Sequence, residues 1–474
     1  MAASTAADNM PKYFSGSRRA LSSGVSHDGD VRRNKLPLQV NRARLMETLH
    51  ETCAWGAGKR WGQASTETGM SRLTLSDADK EARDWFVGTV EGLGCRVTVD
   101  AIGNVFAVRP GRSEGAATFA GSHLDTQPTG GRYDGILGVM AGVEMLRVLH
   151  ENDVETELPV GVVNWTNEEG ARFPYSMMGS GVWAGALSLD AAYSLRSVTG
   201  DNVTLKSELE RIGYRGKVPA SYHSVPMGAH FELHIEQGPI LEAERRKIGV
   251  VQGVQAYKWF TIEIEGRDAH TGTTPLANRS DALLLASKLM VHGNRVATKN
   301  AALVSTGILT LSPGSTNTIP GSVRFSLDIR APRNETVEEV EAQLQQDFAD
   351  LASGKDIGGL HAGSTVGKSE FSVSWRTDSE TTATIFHEDC IQCVRAAAAD
   401  VLGDGADGGL VRDVVSGAGH DSVYASRVCP TTMIFVPCRD GVSHNPAEYT
   451  SPEDCAIGAE VLMHSVLKYD AMRA

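Results

Sequence analysis

The chain has 474 residues, of which 41% are hydrophobic and 22% charged, and 58 Asp plus Glu against 45 Lys plus Arg give a formal net charge of −13. A balance this acidic argues against a surface that grips phosphate backbones, so no nucleic-acid partner is expected. The length suits two or three domains, or one large domain with a smaller one inserted. Seven cysteines are too sparse, and odd in number, for a disulfide framework, which points to free thiols.

Residues 1–36 are rich in Ser, Ala, Gly and Arg and lack an apolar h-region, so they read as a disordered tail and not as a secretory signal. Arg18, Arg19, Arg32 and Arg33 form a weak organellar-targeting pattern that Asp8, Asp28 and Asp30 oppose, and the expected location is cytoplasmic. A first helix is predicted over Arg44–Trp55. A second starts at the N-terminal box Ser76-Asp77-Ala78-Asp79 and runs to about Leu93. β-type runs follow at Cys95–Val99, Asn104–Val108 and Ala117–Ser122, then a helix over Gly135–His150 and an interior strand over Leu158–Trp165. Strands alternating with helices imply an α/β domain with a mainly parallel sheet flanked by helices. The charge-free stretch Phe173–Leu189 is interrupted by Gly179, Gly181 and Gly185 and is shorter than the ~20 apolar residues of a membrane span, so no membrane partner is expected.

The pattern changes after Val251. Phe260, Ile262 and Ile264 alternate with Thr261, Glu263 and Glu265, the period of a half-buried strand. A helix over Ser280–Asn294 and strands over Leu303–Leu311 and Ser322–Arg330 come next, and Thr336-Val337-Glu338-Glu339 fits a capping box opening a helix to about Ala352. This series reads as an inserted α+β domain, an antiparallel sheet with two helices. A glycine-rich linker near 353–367, a strand at Phe371–Trp375, a helix around His387–Leu402 and a strand at Thr431–Val436 complete the chain. The expected division is a tail (1–36), a catalytic domain in two parts (37–253 and 381–474) and the insertion (254–380).

The common nucleotide and nucleophile motifs are missing. There is no G-x-G-x-x-G and no G-x-S-x-G, and Gly363–Ser369 is one residue short of a P-loop. Cys390 and Cys393 precede an Ala-rich helical stretch and read as buried packing. The informative residues lie at predicted strand ends. They are Gly121-Ser122-His123-Leu124-Asp125, Gly131-Arg132-Tyr133-Asp134-Gly135, Asn167-Glu168-Glu169-Gly170, His230 to Gln237, Gly419-His420-Asp421 and Ser443-His444-Asn445-Pro446. The carboxyl ends of strands in an open α/β sheet form its ligand crevice, so these groups can converge. Imidazoles and carboxylates meeting without a thiolate are ligand chemistry for zinc or a similar hydrolytic metal. Any one of these histidines alone would more often be structural, and Glu168-Glu169 alone a solvated turn; six such segments, most on one edge, outweigh that.

The chain resembles the M20-type di-zinc amidohydrolases, in the branch of N-carbamoyl-amino-acid hydrolases and β-alanine synthases (β-ureidopropionases). The resemblance rests on Gly121–Thr126, Tyr133–Gly138, Asn164–Gly170, His234–Pro239, Ala269-His270, Asn317–Pro320, Asp328–Arg330, Gly417–Asp421 and Ser443–Pro446, in family order over about residues 40–455. It implies two divalent ions per subunit, zinc or alternatively manganese or cobalt. His123 and His234 would bind one ion, Glu169 and His444 the other, with Asp134 bridging. Asp125 would orient the His123 imidazole, and Glu168 would be the general base. The insertion would be a dimerisation lid, making the protein a homodimer. From it His270 would polarise the scissile carbonyl, within the chain or across the dimer, Asn317 would hydrogen-bond substrate, and Arg330 would hold its carboxylate. Gln237 and His420 would be further substrate contacts. The implied reaction is hydrolysis of the ureido C–N bond of a small N-carbamoyl amino acid to amino acid, CO₂ and ammonia. Allantoate hydrolysis, or peptide or acyl-amino-acid cleavage on the same fold, is the alternative.

Overall fold

A computed structural model describes residues 38–361, 371–403 and 409–474. The predicted tail (1–36) and the P-loop-like stretch 363–369 lie outside the described residues, as does part of the predicted linker.

Most elements form where the local pattern demands. Ser76 caps the helix Asp77–Gly92 by accepting the Asp79 N–H, which satisfies one of the orphan donors of the first turn. The helix Ile136–Glu151 is apolar nearly all round and is accordingly buried, packed on the central sheet and against the helices Arg42–Thr52 and Pro452–Arg473. Ala117–His123 and Val160–Trp165 are buried along their whole length, as interior parallel strands must be.

The central sheet has nine strands. Its order is Thr384–Ile385, Ile248–Val254, Thr431–Val436, Met227–Ile235, Ala117–His123, Val160–Trp165, Val105–Arg109, Arg96–Val99, with Val411–Ser416 also paired to Ile248–Val254. The sheet is mixed. Its parallel character is concentrated in the run from Thr431–Val436 to Val160–Trp165, and Val411–Ser416 adds one more parallel pairing. The hairpin of Arg96–Val99 with Val105–Arg109 and the strand Ile248–Val254 bring in antiparallel neighbours.

A second, five-stranded sheet is antiparallel throughout: Leu303–Ser305, Ser322–Ala331, Ala256–Glu265 and Ser372–Thr381, with Leu309–Ser312 also on Ser322–Ala331. Its alternating Phe260, Ile262, Ile264, Val323, Phe325, Leu327 and Ile329 are buried in one core with Leu285 and Leu289 of the helix Ala282–Lys299 and Val340, Leu344 and Phe348 of the helix Asn334–Ala352.

Three local expectations are corrected. The helix predicted from a Thr336 capping box starts earlier, at Asn334, and its N-cap Arg333 makes no side-chain cap; Thr336 is instead buried inside the helix. The single strand predicted over Leu303–Leu311 is two, because Ser326 Oγ accepts the N–H groups of Gly307 and Ile308 and holds that stretch out of the ladder. The strand predicted over Phe371–Trp375 runs on to Thr381 through a bulge at Thr377/Ser379.

All seven cysteines are buried and free, and in particular Cys390 and Cys393 are packed in the helix Glu388–Leu402. Among the described residues no helix is long and apolar enough to cross a membrane.

Candidate active site

The parallel strands end on one edge of the central sheet and there set out the polar groups. His123 is the last residue of Ala117–His123, and His234 lies one residue before the end of Met227–Ile235. Both are 1% exposed. Each Nδ1 lies 2.9 Å from a main-chain carbonyl, that of Asp125 for His123 and that of Ile235 for His234. A carbonyl only accepts, so Nδ1 carries a proton, and in the neutral imidazole Nε2 presents its lone pair. Asp134 meets these lone pairs from the turn before the helix Ile136–Glu151. Its Oδ1 is 3.1 Å from His234 Nε2 and 3.6 Å from His123 Nε2. The next residue, Gly135, has φ +65°, and a Cβ there would lie 2.2–2.4 Å from the His123 ring, so only glycine lets the turn come this close.

The other oxygen of Asp134 faces a second group. His444 Nε2 is 3.5 Å from Asp134 Oδ2 and 3.4 Å from Glu169 Oε2. Glu169 is fixed by Gln127, whose main-chain N–H and side-chain amide donate to its two oxygens at 3.1 and 2.7 Å. Glu168 stands across from it, 7% exposed, with Oε2 3.6 Å from His123 Nε2.

These separations suit metal ions better than direct hydrogen bonds. Donors held at 2.0–2.1 Å by a tetrahedral ion sit about 3.4 Å apart. The donor atoms of His123, Asp134 and His234 lie within 4.8 Å of one another, as do those of Asp134, Glu169 and His444. His123 Nε2 is buried without any hydrogen-bond partner, the condition of a ligand atom awaiting a Lewis acid. The residues present therefore fit a pair of divalent ions sharing Asp134.

Electrostatics describe the same crowding. Burial is the largest influence on Glu169, and with the charge of Asp134 it pushes that carboxyl up to about 8. Burial also raises Glu168 well above its ordinary value, with Asp421, Glu169 and Asp134 adding to it and His123 opposing. Burial disfavours a charged His123, but Glu168, Asp134 and Asp125 outweigh it and raise the imidazole well above 6.5. Asp134, by contrast, is held well below its ordinary range against burial by His234 and His123, so the imidazoles balance that carboxylate and leave Glu168 and Glu169 without enough positive charge.

Other expected site residues fall out as follows. Asp125 is buried, but its carboxylate is 4.0 Å from His123 Nδ1. It instead receives the main-chain N–H groups of Glu168 and Glu169, both at 3.3 Å. The expected carboxylate clamp on the imidazole is replaced by the Asp125 main-chain carbonyl, because the carboxylate is committed to the Glu168-Glu169 turn. Gln237 donates to Asp134 Oδ2 at 2.6 Å. His420 packs on His234 with ring centroids 4.5 Å apart, its Nε2 3.1 Å from Ser416 Oγ. Arg330 donates to Asp328 at 2.9–3.1 Å and to the Gly417 carbonyl at 3.0 Å, which brings the five-stranded sheet to the loop carrying His420. A cavity of about 70 Å³ opens there, lined in part by Met177, Tyr257, Arg330, Gly417, Gly419 and Tyr424. His270 and Asn317 are exposed together on the ribbon Ala269–His270/Thr318–Ile319. Among the described residues, no hydrogen bond, ion pair or ring contact joins either to the cluster in the same chain.

Motif reading missed Glu232. It is fully buried two residues before His234, and its donor atoms group with those of His234 and His420. Its oxygens are already taken, by Ser122 Oγ at 2.8 Å and by Ser422 Oγ at 2.6 Å. It therefore ties the strands that bear His123 and His234 to the helix Asp421–Ala425, whose N-cap is His420. The available signal was its place inside an otherwise buried strand, where a lone carboxylate needs partners.

Residues 119–468 match the family described as Peptidase family M20/M25/M40. An N-carbamoyl-L-amino-acid amidohydrolase of Rhizobium meliloti is 38% identical over 433 residues, covering 91% of this chain and 97% of that protein. A ureidoglycolate hydrolase of Oryza sativa subsp. japonica is 33% identical over 83% of this chain and 79% of its own length. Among solved structures, an amidase of the hydantoinase/carbamoylase family from Burkholderia multivorans superposes with TM-score 0.81 at 42% identity, over 91% of this chain and 98% of that one. With its paired donor groups on the strand-end edge and relatives aligned along nearly their whole length, the chain belongs to Peptidase family M20/M25/M40.

Proposed function

We propose that the protein is a two-metal amidohydrolase that removes the carbamoyl group of N-carbamoyl amino acids, giving amino acid, CO₂ and ammonia. The observation that carries this reading is the pair of donor groups sharing Asp134, with the unpartnered His123 Nε2 at its centre and Glu168 beside it. The carbamoylase names of relatives that span nearly the whole chain support the substrate class.

A ureido carbon is a poor electrophile, and a bound metal pair supplies the missing activation by polarising oxygen and lowering the pKa of water. His123 and His234 would hold one ion, Glu169 and His444 the other, with Asp134 between them. Zinc suits this donor set, as do manganese and cobalt. Glu168 is the residue placed to take the proton of the attacking water and return it to the departing nitrogen, being buried beside His123 with no part in either donor group. Gln237 steadies Asp134. Arg330 offers a planar fork for a substrate carboxylate, at present shared by Asp328 and the Gly417 carbonyl. We place residues 254–380 as a lid that completes the site in a homodimer. In support, His270 and Asn317 are exposed away from the cluster, and Leu276, Leu284, Val291, Leu303, Ile308 and Leu309 leave apolar surface in the same region. His270 would then stabilise the developing oxyanion in the partner's site.

Ammonia release after chelation and reloading with Zn²⁺ or Mn²⁺ tests the reading, using N-carbamoyl-β-alanine, N-carbamoyl-L-α-amino acids, ureidoglycolate and allantoate, with a dipeptide followed by amino-acid release. Metal-dependent turnover of a carbamoyl amino acid is the expected result. Turnover of ureidoglycolate alone would shift the assignment to the activity named for the rice relative, and turnover of the dipeptide alone would overturn it.

A further inference from the structure

Glu448 lies outside every donor group described above, yet it is 2% exposed at the seam of the site. Its Oε1 accepts the main-chain N–H groups of Tyr133 and Asp134, both at 3.0 Å. Its Oε2 lies 2.9 Å from Ser443 Oγ, which is 2.7 Å from Asp134 Oδ2. Gln237 closes the ring, with Nε2 2.6 Å from the same Asp134 oxygen and 3.2 Å from Ser443 Oγ. The turn bearing Asp134 and the loop bearing His444 are more than three hundred residues apart, and this carboxylate fastens one to the other.

The fit is specific. A Cβ on Gly131 would lie 2.2 Å from the Glu448 carboxyl carbon, so the turn keeps a gap the size of this group. Placing a second buried carboxylate near Asp134 is electrostatically unfavourable, and what offsets it is a set of hydrogen bonds to an ionisable acceptor. The arrangement therefore favours loop geometry over charge balance.

We propose that Glu448 is a positioning residue for one of the two ion positions, holding Asp134 against His444 so that Asp134, Glu169 and His444 close on a single ion. The inference rests on the metal-pair reading above. Asp134 belongs to both donor groups, but His123 and His234 are set by their own strands and by main-chain carbonyls, whereas His444 follows the loop that Glu448 fastens. Loss of Glu448 therefore bears far more on the ion that would also take Glu169 and His444. That inequality separates positioning from a general structural role.

The test is Zn²⁺ titration of the chelated protein by calorimetry, with bound metal counted by elemental analysis, on wild type, Glu448→Leu, Glu448→Gln and Gly131→Ala. Wild type should bind two ions. Glu448→Leu and Gly131→Ala should keep one near wild-type affinity and bind the other roughly 10–100-fold more weakly, the usual effect of losing a group that orients a ligand. Glu448→Gln retains a carbonyl oxygen for both N–H groups and should bind two. If the leucine variant does not fold, as judged by circular dichroism, the Gly131→Ala and Glu448→Gln pair makes the same comparison. Equal weakening of both ions, unchanged binding in Glu448→Leu and Gly131→Ala, or a glutamine variant as impaired as leucine would overturn the proposal. Fewer than two ions on wild type would instead overturn the metal-pair reading itself.

Discussion

The rim of the central sheet and the exposed ribbon of the five-stranded layer contribute candidate residues in opposite ways. On the rim, His123, Asp134 and His234 are buried, are set by strands or a glycine turn, and touch one another. On the ribbon, His270 and Asn317 face solvent, and the His270 side chain has local partners, its Nδ1 accepting from the Gly272 and Thr273 N–H groups. A preorganised rim costs no reordering when substrate arrives, whereas on the proposed reading the ribbon would have to be brought to its target by closure or by a second subunit.

The sharpest way to break that comparison is Glu168→Gln, which should lower kcat by roughly 10²–10⁴-fold, the range for loss of a general base. The melting temperature of the metal-free form should hold or rise, because a buried carboxyl pushed far above its ordinary value is replaced by a neutral isostere. Retention of more than a few per cent of kcat would remove Glu168 from that role.

A smaller effect sharpens the ribbon's side. His270→Ala and Glu168→Gln subunits, each inactive alone, should recover about a quarter of wild-type turnover after random exchange, since half the dimers then hold one complete site. No recovery, in a mixture shown by mass spectrometry to contain heterodimers, would place His270 in its own chain's site.

The smallest effect is on stability. Glu169 rises from 4.5 to about 8 in the metal-free fold, and Glu168 rises too. Between pH 4.5 and 8 the folded protein therefore holds protons on these carboxyls that the unfolded chain has released, a contribution that lowers stability as pH rises. His123 and His234, both raised by neighbouring carboxylates against burial, act with the same sign as they lose their protons above 6.5. His50, His230 and His420, pushed down by burial to about 4, 4 and 3, act with the opposite sign below 6.5. Above pH 7 the lowered histidines no longer titrate in either state, so the chelated protein should melt lower at pH 8 than at pH 7, read by differential scanning fluorimetry. Metal binding needs neutral imidazoles, so loading and activity should decline as pH falls through the raised values of His123 and His234, a decline that begins above 6.5. A chelated protein more stable at pH 8 would contradict the carboxylate crowding.

Much of the rim is legible in the sequence because strand ends and the residues just past them are local features. His123 after an apolar run, Asp134 before a glycine and an apolar helix, and the paired Glu168-Glu169 all announce themselves. The groups that hold these residues are less visible. Glu232 and Glu448 act through partners more than a hundred residues away, and nothing near them in the chain signals those contacts. Asp125 shows a subtler limit. The family resemblance implied a carboxylate clamp, but the imidazole lies nearest the Asp125 main-chain carbonyl, and the side chain accepts from the neighbouring amides. The capping box at Thr336 misled because Thr336 is buried inside the helix Asn334–Ala352, which starts two residues earlier without a side-chain cap.

That use of main-chain carbonyls has a consequence for how the site tolerates change. Both ligand imidazoles take their tautomer from backbone oxygens, which every amino acid supplies. No side-chain replacement at Asp125 or Ile235 removes the acceptor, so this part of the site is shielded from point mutation and silent in an alanine scan. It would show itself in nitrogen chemical shifts of the two rings, which distinguish a protonated Nδ1 from a bare one.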